Sequence, residues 1–155
     1  MPQLVKGGKY IFGWSKVGKK GKIKIPPEAY EEYNLKLDKY AIIFSGSKTS
    51  GGFGLSSVRI LKKSILKELI EKNTSLANYK IHEGEIIEFK NRKYSWLTIQ
   101  EDKSIILLES TLKAFGINKN DNLLAGRGSQ FAIGFIAKGP IFKEAKKHPE
   151  IEIFE

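Results

Sequence analysis

Lys16, Lys19, Lys20, Lys22 and Lys24 crowd into nine consecutive residues with no acidic side chain between them. Ammonium groups at that density can neutralise successive phosphates of a nucleic acid and release the counterions condensed on it. The formal net charge is +10 and the pI about 9.6. Residues 1–77 hold 15 Lys and Arg against 6 Asp and Glu, whereas residues 78–155 hold 12 against 11. The excess sits in the first half, and a polyanion is the partner it suits. Against this stands the plainer reading of a solvated lysine face, which fits a chain whose only arginines are Arg59, Arg92 and Arg127.

Two further polar clusters have chemistry to offer, Ser45-Gly46-Ser47-Lys48-Thr49-Ser50-Gly51-Gly52 and Gly126-Arg127-Gly128-Ser129. Backbone amides beside a cation can cradle an anion, so Gly46, Ser47, Lys48, Arg127, Gly128 and Ser129 form a candidate ligand or anion loop. The first cluster lacks the G-x-x-x-x-G-K-[ST] order and a helix at its end, which makes a flexible hairpin loop the stronger reading. Glycines there also let adjacent strands bend and approach.

Catalysis has no support in the sequence. His82 and His148 stand 66 residues apart without a metal-ligand pattern around either. Glu28, Glu31 and Glu32 read as a solvated helix face, and no serine lies in a G-x-S-x-G elbow. No catalytic residue, metal or cofactor is expected.

The bulk numbers bound what must position these groups. A chain of 155 residues supports one domain with a proper core. Apolar content of 41% with 28% charged residues is that of a globular protein. The absence of cysteine excludes disulfides and suits a reducing cytoplasm. No apolar run approaches the ~20 residues that cross a bilayer, and no signal-peptide pattern opens the chain.

Residues 9–17 read as a strand, Gly18-Lys19-Lys20-Gly21 as a turn and residues 22–25 as a second strand with one buried face. Pro26-Pro27 ends it and opens a short helix over 28–34. Strands over 40–44 and 53–58 flank the polar loop. Leu61, Ile65, Leu66, Leu69 and Ile70 recur at helical spacing, which predicts a connector helix over 60–72. A hairpin follows, 85–89 against 93–99, and then a strand over 104–107. A short helix over 109–115 is stopped by Gly116. Strands over 121–125 and 131–137 precede a last helix from Gly139-Pro140 to about residue 147 and a short strand over 151–154.

An offset of 82 residues carries Trp14 onto Trp96, Ile23 onto Ile105, Leu35 onto Ile117, and Gly46-Ser47 onto Gly128-Ser129. With two residues fewer in the second copy, Phe53-Gly54-Leu55 falls on Ile133-Gly134-Phe135. The apolar positions stay in register across changes of period, so the chain reads as an internal duplication. A unit of some 45 residues buries too little surface alone, and the copies are expected to share one core. The matched aromatics Phe12, Trp14, Tyr94 and Trp96 suit that core better than base stacking. The connector is expected to cap it.

The run Gly21-Lys22-Ile23-Lys24-Ile25-Pro26-Pro27-Glu28, with the helix exit Tyr33-Asn34-Leu35, resembles the SpoVT/AbrB-type swapped-hairpin family. In the second copy Phe115-Gly116-Ile117 and Asp121-Asn122-Leu123 fit the family's helix exit and next strand. Two copies in one chain resemble the arrangement of the MraZ proteins, although their Asp-x-x-x-Arg signature is missing from both turns. The resemblance implies a mainly β (α+β) fold with short helices: a pseudo-two-fold swapped-hairpin β-barrel of two repeats plus a helical connector. One domain over 1–155 would hold repeat one at 9–58, the connector at 59–84, repeat two at 85–138, and a C-terminal helix and strand at 139–155.

The same resemblance implies a sequence-selective regulator of transcription that grips duplex DNA through Lys16, Lys19, Lys20, Lys22 and Lys24. Lysine stands at Lys22 where the family has arginine, and Tyr30-Glu31 where it often has paired arginines. The second turn, Gln100-Glu101-Asp102-Lys103, is net acidic. One basic turn per chain leads to the expectation of a cytoplasmic homo-oligomer. The alternative is a barrel without DNA binding that senses a small-molecule effector or engages a protein partner. An antitoxin reading is weaker, for want of a long toxin-binding tail.

Overall fold

The computed structural model describes residues 10–155, so Lys9, the first residue of the expected opening strand, lies outside the described residues. The described chain is mixed α/β, mostly sheet, with ten strands and six short helices. In order they are β1 (Ile11–Lys16), β2 (Lys22–Lys24), α1 (Pro27–Glu32), β3 (Tyr40–Ser45), β4 (Phe53–Ser56), α2 (Val58–Leu61), α3 (Lys67–Lys72), α4 (Thr74–Ala77), β5 (Ile87–Phe89), β6 (Arg92–Thr98), β7 (Ser104–Ile106), α5 (Glu109–Ala114), β8 (Asn122–Ser129), β9 (Ala132–Ile136), α6 (Pro140–Ala145) and β10 (Ile153–Phe154).

Eight strands form one sheet in the order β10-β1-β8-β9-β4-β3-β6-β5, while β2 and β7 pair only with each other as a separate ribbon. No ring of paired strands closes among the described residues. The sheet ends at β10 and β5, and Pro26 and Pro27 cut β2 short because proline cannot donate to a ladder.

The register obeys the offset found in the sequence. β1 pairs with β8, Trp14 opposite Leu124, and β6 pairs with β3, Trp96 opposite Ile42. Adding 82 to one side of each pair and subtracting it from the other exchanges the two. Each opening strand thus lies in the other half's part of the sheet. At the centre β4 meets β9 with Gly54 opposite Gly134, and in the ribbon Ile23 lies opposite Ile105. In both places a residue pairs with its own counterpart.

The largest core cluster draws on both halves, with Val17, Ile23, Ile25 and Leu35 packed among Ile105, Leu107, Ile117 and Phe135. Two smaller clusters lie outside it. Trp14 packs with Ile11, Leu124 and Ile151 under the C-terminal segment, edge-on to Phe142 at 5.3 Å. Trp96 lies under the connector with Tyr79, its Nε1 donating to the Ile81 carbonyl at 2.9 Å. The aromatics therefore pack rather than present stacking faces, since Phe12, Trp14 and Tyr94 are buried and Trp96 half-buried.

The connector is not the single helix its periodicity predicts. Leu61 and Leu69 are buried, in the smaller cluster with Ile42 and Tyr94 rather than in the shared core, and Ile65 is 85% exposed. Ser64 breaks the run, donating to the Leu61 carbonyl at 2.9 Å and accepting from the Leu66 amide at 3.0 Å. Serine competing for backbone groups in this way ends a helix.

Candidate nucleic-acid interface

The ribbon β2–β7 and the two turns that enter it form one surface. The basic turn closes by Gly21 N–H to Gly18 O at 3.0 Å, and the acidic turn by Lys103 N–H to Gln100 O at the same distance. Gly21 alone of the two glycines takes positive φ (79°), and its counterpart Lys103 shares that left-handed conformation at 64°. A Cβ at Gly21 would lie 2.1 Å from the Leu107 carbonyl oxygen, so no side chain fits there. The close approach is used: Leu107 N–H donates to Gly21 O at 3.0 Å, mirrored by Ile25 N–H to Lys103 O at 2.9 Å. These bonds bind each turn to the strand that leaves the other.

On β2 the alternation puts Ile23 into the core and Lys22 and Lys24 on the outer face. Lys19 and Lys20 stand exposed at the tip of the turn, in no ion pair among the described residues. Lys22 is held by Asp102 in an ion pair. The Asp102 carboxyl also accepts from Ser104 Oγ at 2.5 Å. Lys22 first, then Ser104, holds this carboxyl below its usual range, and the charge of Lys24 adds to the effect. Lys16 is not part of the ribbon: at the end of β1 it lies 3.8 Å from Glu155. Four of the five predicted lysines thus gather on one surface.

Asp102, Ser104 and Lys103, whose ammonium lies 5.0 Å from the Tyr30 ring, are neighbours of the basic turn that sequence reasoning did not place there. The acidic turn was visible, but its place against the basic turn was not. A ribbon whose strand pairs with its own counterpart brings both turns together, and the 82-residue offset was the available signal.

The candidate ligand loops also meet. Gly46, Ser47, Gly128 and Ser129 line a cavity of about 290 Å³, beside Phe44 and Arg92. Lys48 is not among its lining residues, and Arg127 turns away to Glu32 through two N–H···O bonds of 2.6 Å. Arg92, 5.9 Å from the Phe44 ring, is the cation at this cavity, and nothing in the sequence singled it out. Three amides of the first loop are already bonded within it. The Gly46 amide donates to Gly52 O, the Gly51 amide to Ser47 O and the Ser50 amide to Ser47 Oγ. A Cβ at Gly46 would lie 2.1 Å from Gly51 O, so glycine is required there by the backbone itself.

Among the described residues no group of three His, Cys, Asp or Glu side chains is placed to hold a metal ion, and no helix is long and apolar enough to cross a membrane. No family model, no curated protein and no solved structure matches this chain.

Proposed function

We propose that this chain is a non-enzymatic regulator of transcription that binds duplex DNA through the basic turn and the ribbon beneath it. The observation that carries this reading is the tip at Lys19 and Lys20, exposed and in no ion pair among the described residues, continued by Lys22 and Lys24 on the outer face of a two-stranded ribbon. A B-form major groove about 12 Å wide admits such a ribbon. Lysines act as point charges rather than bidentate forks, which suits contact with phosphates more than with guanine.

The exchanged pairing of β1 with β8 and β6 with β3 supports two AbrB-like halves that swap hairpins around a pseudo-two-fold axis. One basic turn per chain gives a small footprint, so the working form is a cytoplasmic homo-oligomer that presents several. Fluorescence anisotropy of a labelled, mixed-sequence duplex across a salt series tests the reading. Wild-type affinity falls steeply with log salt, and changing Lys19, Lys20 and Lys22 to Gln makes the slope shallower by about 0.9 for each phosphate that the variant leaves unneutralised. Equal slopes for wild type and variant would reject it.

The 290 Å³ cavity between the two glycine loops favours a second reading, a module that responds to a small-molecule effector. A thermal-shift screen of small anions and planar aromatics tests that one directly.

A further inference from the structure

The acidic turn does not lie across the molecule from the basic one. It lies against it, and Asp102 reaches Lys22. The two partners differ in freedom. Ser104, which donates to the Asp102 carboxylate at 2.5 Å, is fully buried and fixes that carboxylate on β7. Lys22 is on an exposed position of β2, with a flexible stem. Glu101 is next to Asp102 in the same turn, also exposed, and in no ion pair among the described residues. A carboxylate held in place beside a movable ammonium has the charge and hydrogen-bonding groups of a phosphate.

We infer that Asp102 is a selectivity residue: it occupies the ammonium of Lys22 and yields it only to a ligand carrying several phosphates in a row. The inference rests on the duplex-binding reading. An isolated phosphate gains little by displacing a carboxylate already in place. A duplex engages Lys19 and Lys20 first, and this brings a further phosphate to Lys22 at high local concentration. Asp102 therefore lowers affinity for every anion but lowers it least for a dense polyanion.

Anisotropy with the mixed-sequence duplex tests this, using wild type, Asp102→Asn, Glu101→Gln, Lys22→Gln and the Lys22→Gln/Asp102→Asn double variant. Inorganic phosphate serves as competitor, and the Tm of each variant confirms that it is folded. Asp102→Asn tightens binding about three- to tenfold at about 50 mM salt and leaves the log–log salt slope close to that of wild type, since Lys22 meets a phosphate in both complexes. It also lets inorganic phosphate compete at lower concentration than with wild type. Glu101→Gln removes the same charge and changes affinity less than about twofold. In the Lys22→Gln background the Asp102→Asn gain vanishes.

Two results would overturn the inference while leaving duplex binding intact. One is that wild type binds and Asp102→Asn matches it in affinity; the other is that Glu101→Gln gives the same gain. If no variant binds the duplex at about 50 mM salt, Asp102→Asn included, the binding reading falls and this inference with it.

Discussion

Tyr33 is where the first half of the chain grips the second. Its hydroxyl lies 2.7 Å from the Ser129 carbonyl and 2.9 Å from that of Ala132, and donates into that pair. Burial first, and then the charge of Glu32, pushes its pKa from the ordinary 10.0 up to about 12. The raised value means that the folded state favours the neutral phenol. This contribution is intact below pH 10 and is lost as pH rises through about 12. Its counterpart is Phe115, so a phenyl ring is a shape this fold already accepts. Tyr33→Phe should therefore cost about 1 kcal/mol at neutral pH. It should also remove part of the alkaline loss, so that the gap from wild type narrows between urea titrations at neutral and at strongly alkaline pH. At this scale the lysines were legible, because charge density is a property of sequence. Their partners were not. Asp102 meets Lys22, and Glu32 meets Arg127, only because the fold brings distant segments together.

At the scale of elements, periodicity identified most strands and both α1 and α5, and it located the helix exits at Asn34 and Gly116, which take φ of 53° and 69°. It failed where a side chain competes with the backbone. The apolar positions of the connector continue through Ser64, but the helix does not, and Ile65 is left in solvent. Leu69→Ala should cost about 2–4 kcal/mol, whereas Ile65→Ser should change stability by less than about 0.5 kcal/mol. Denaturant midpoints decide the matter: equal losses would restore the continuous helix. The lone pairing of β2 with β7 was likewise hidden. Alternation marks which face of a strand is buried, but it does not name the strand beside it.

At the scale of the molecule, the pairing pattern is symmetric and the covering is not. Trp14 and Trp96 are counterparts, yet the C-terminal segment covers the first and the connector covers the second. A chain ending at Lys138 should expose Trp14 alone. In a Trp96→Phe background its emission should shift to the red, while the same truncation in a Trp14→Phe background should leave Trp96 unchanged. A shift in both would make the C-terminal segment part of one cooperative core. The central pairing carries a different consequence. A strand that meets its own counterpart, as Gly54 meets Gly134, has the geometry of an isologous interface between identical chains. Such a half could dimerise with itself through these same pairings, and joining two halves covalently makes a tethered pair. In a true homodimer every substitution appears twice, so a lysine turn would face another lysine turn. Tethering lifts that constraint, and only then can one turn stay basic while the other supplies the carboxylate that holds it.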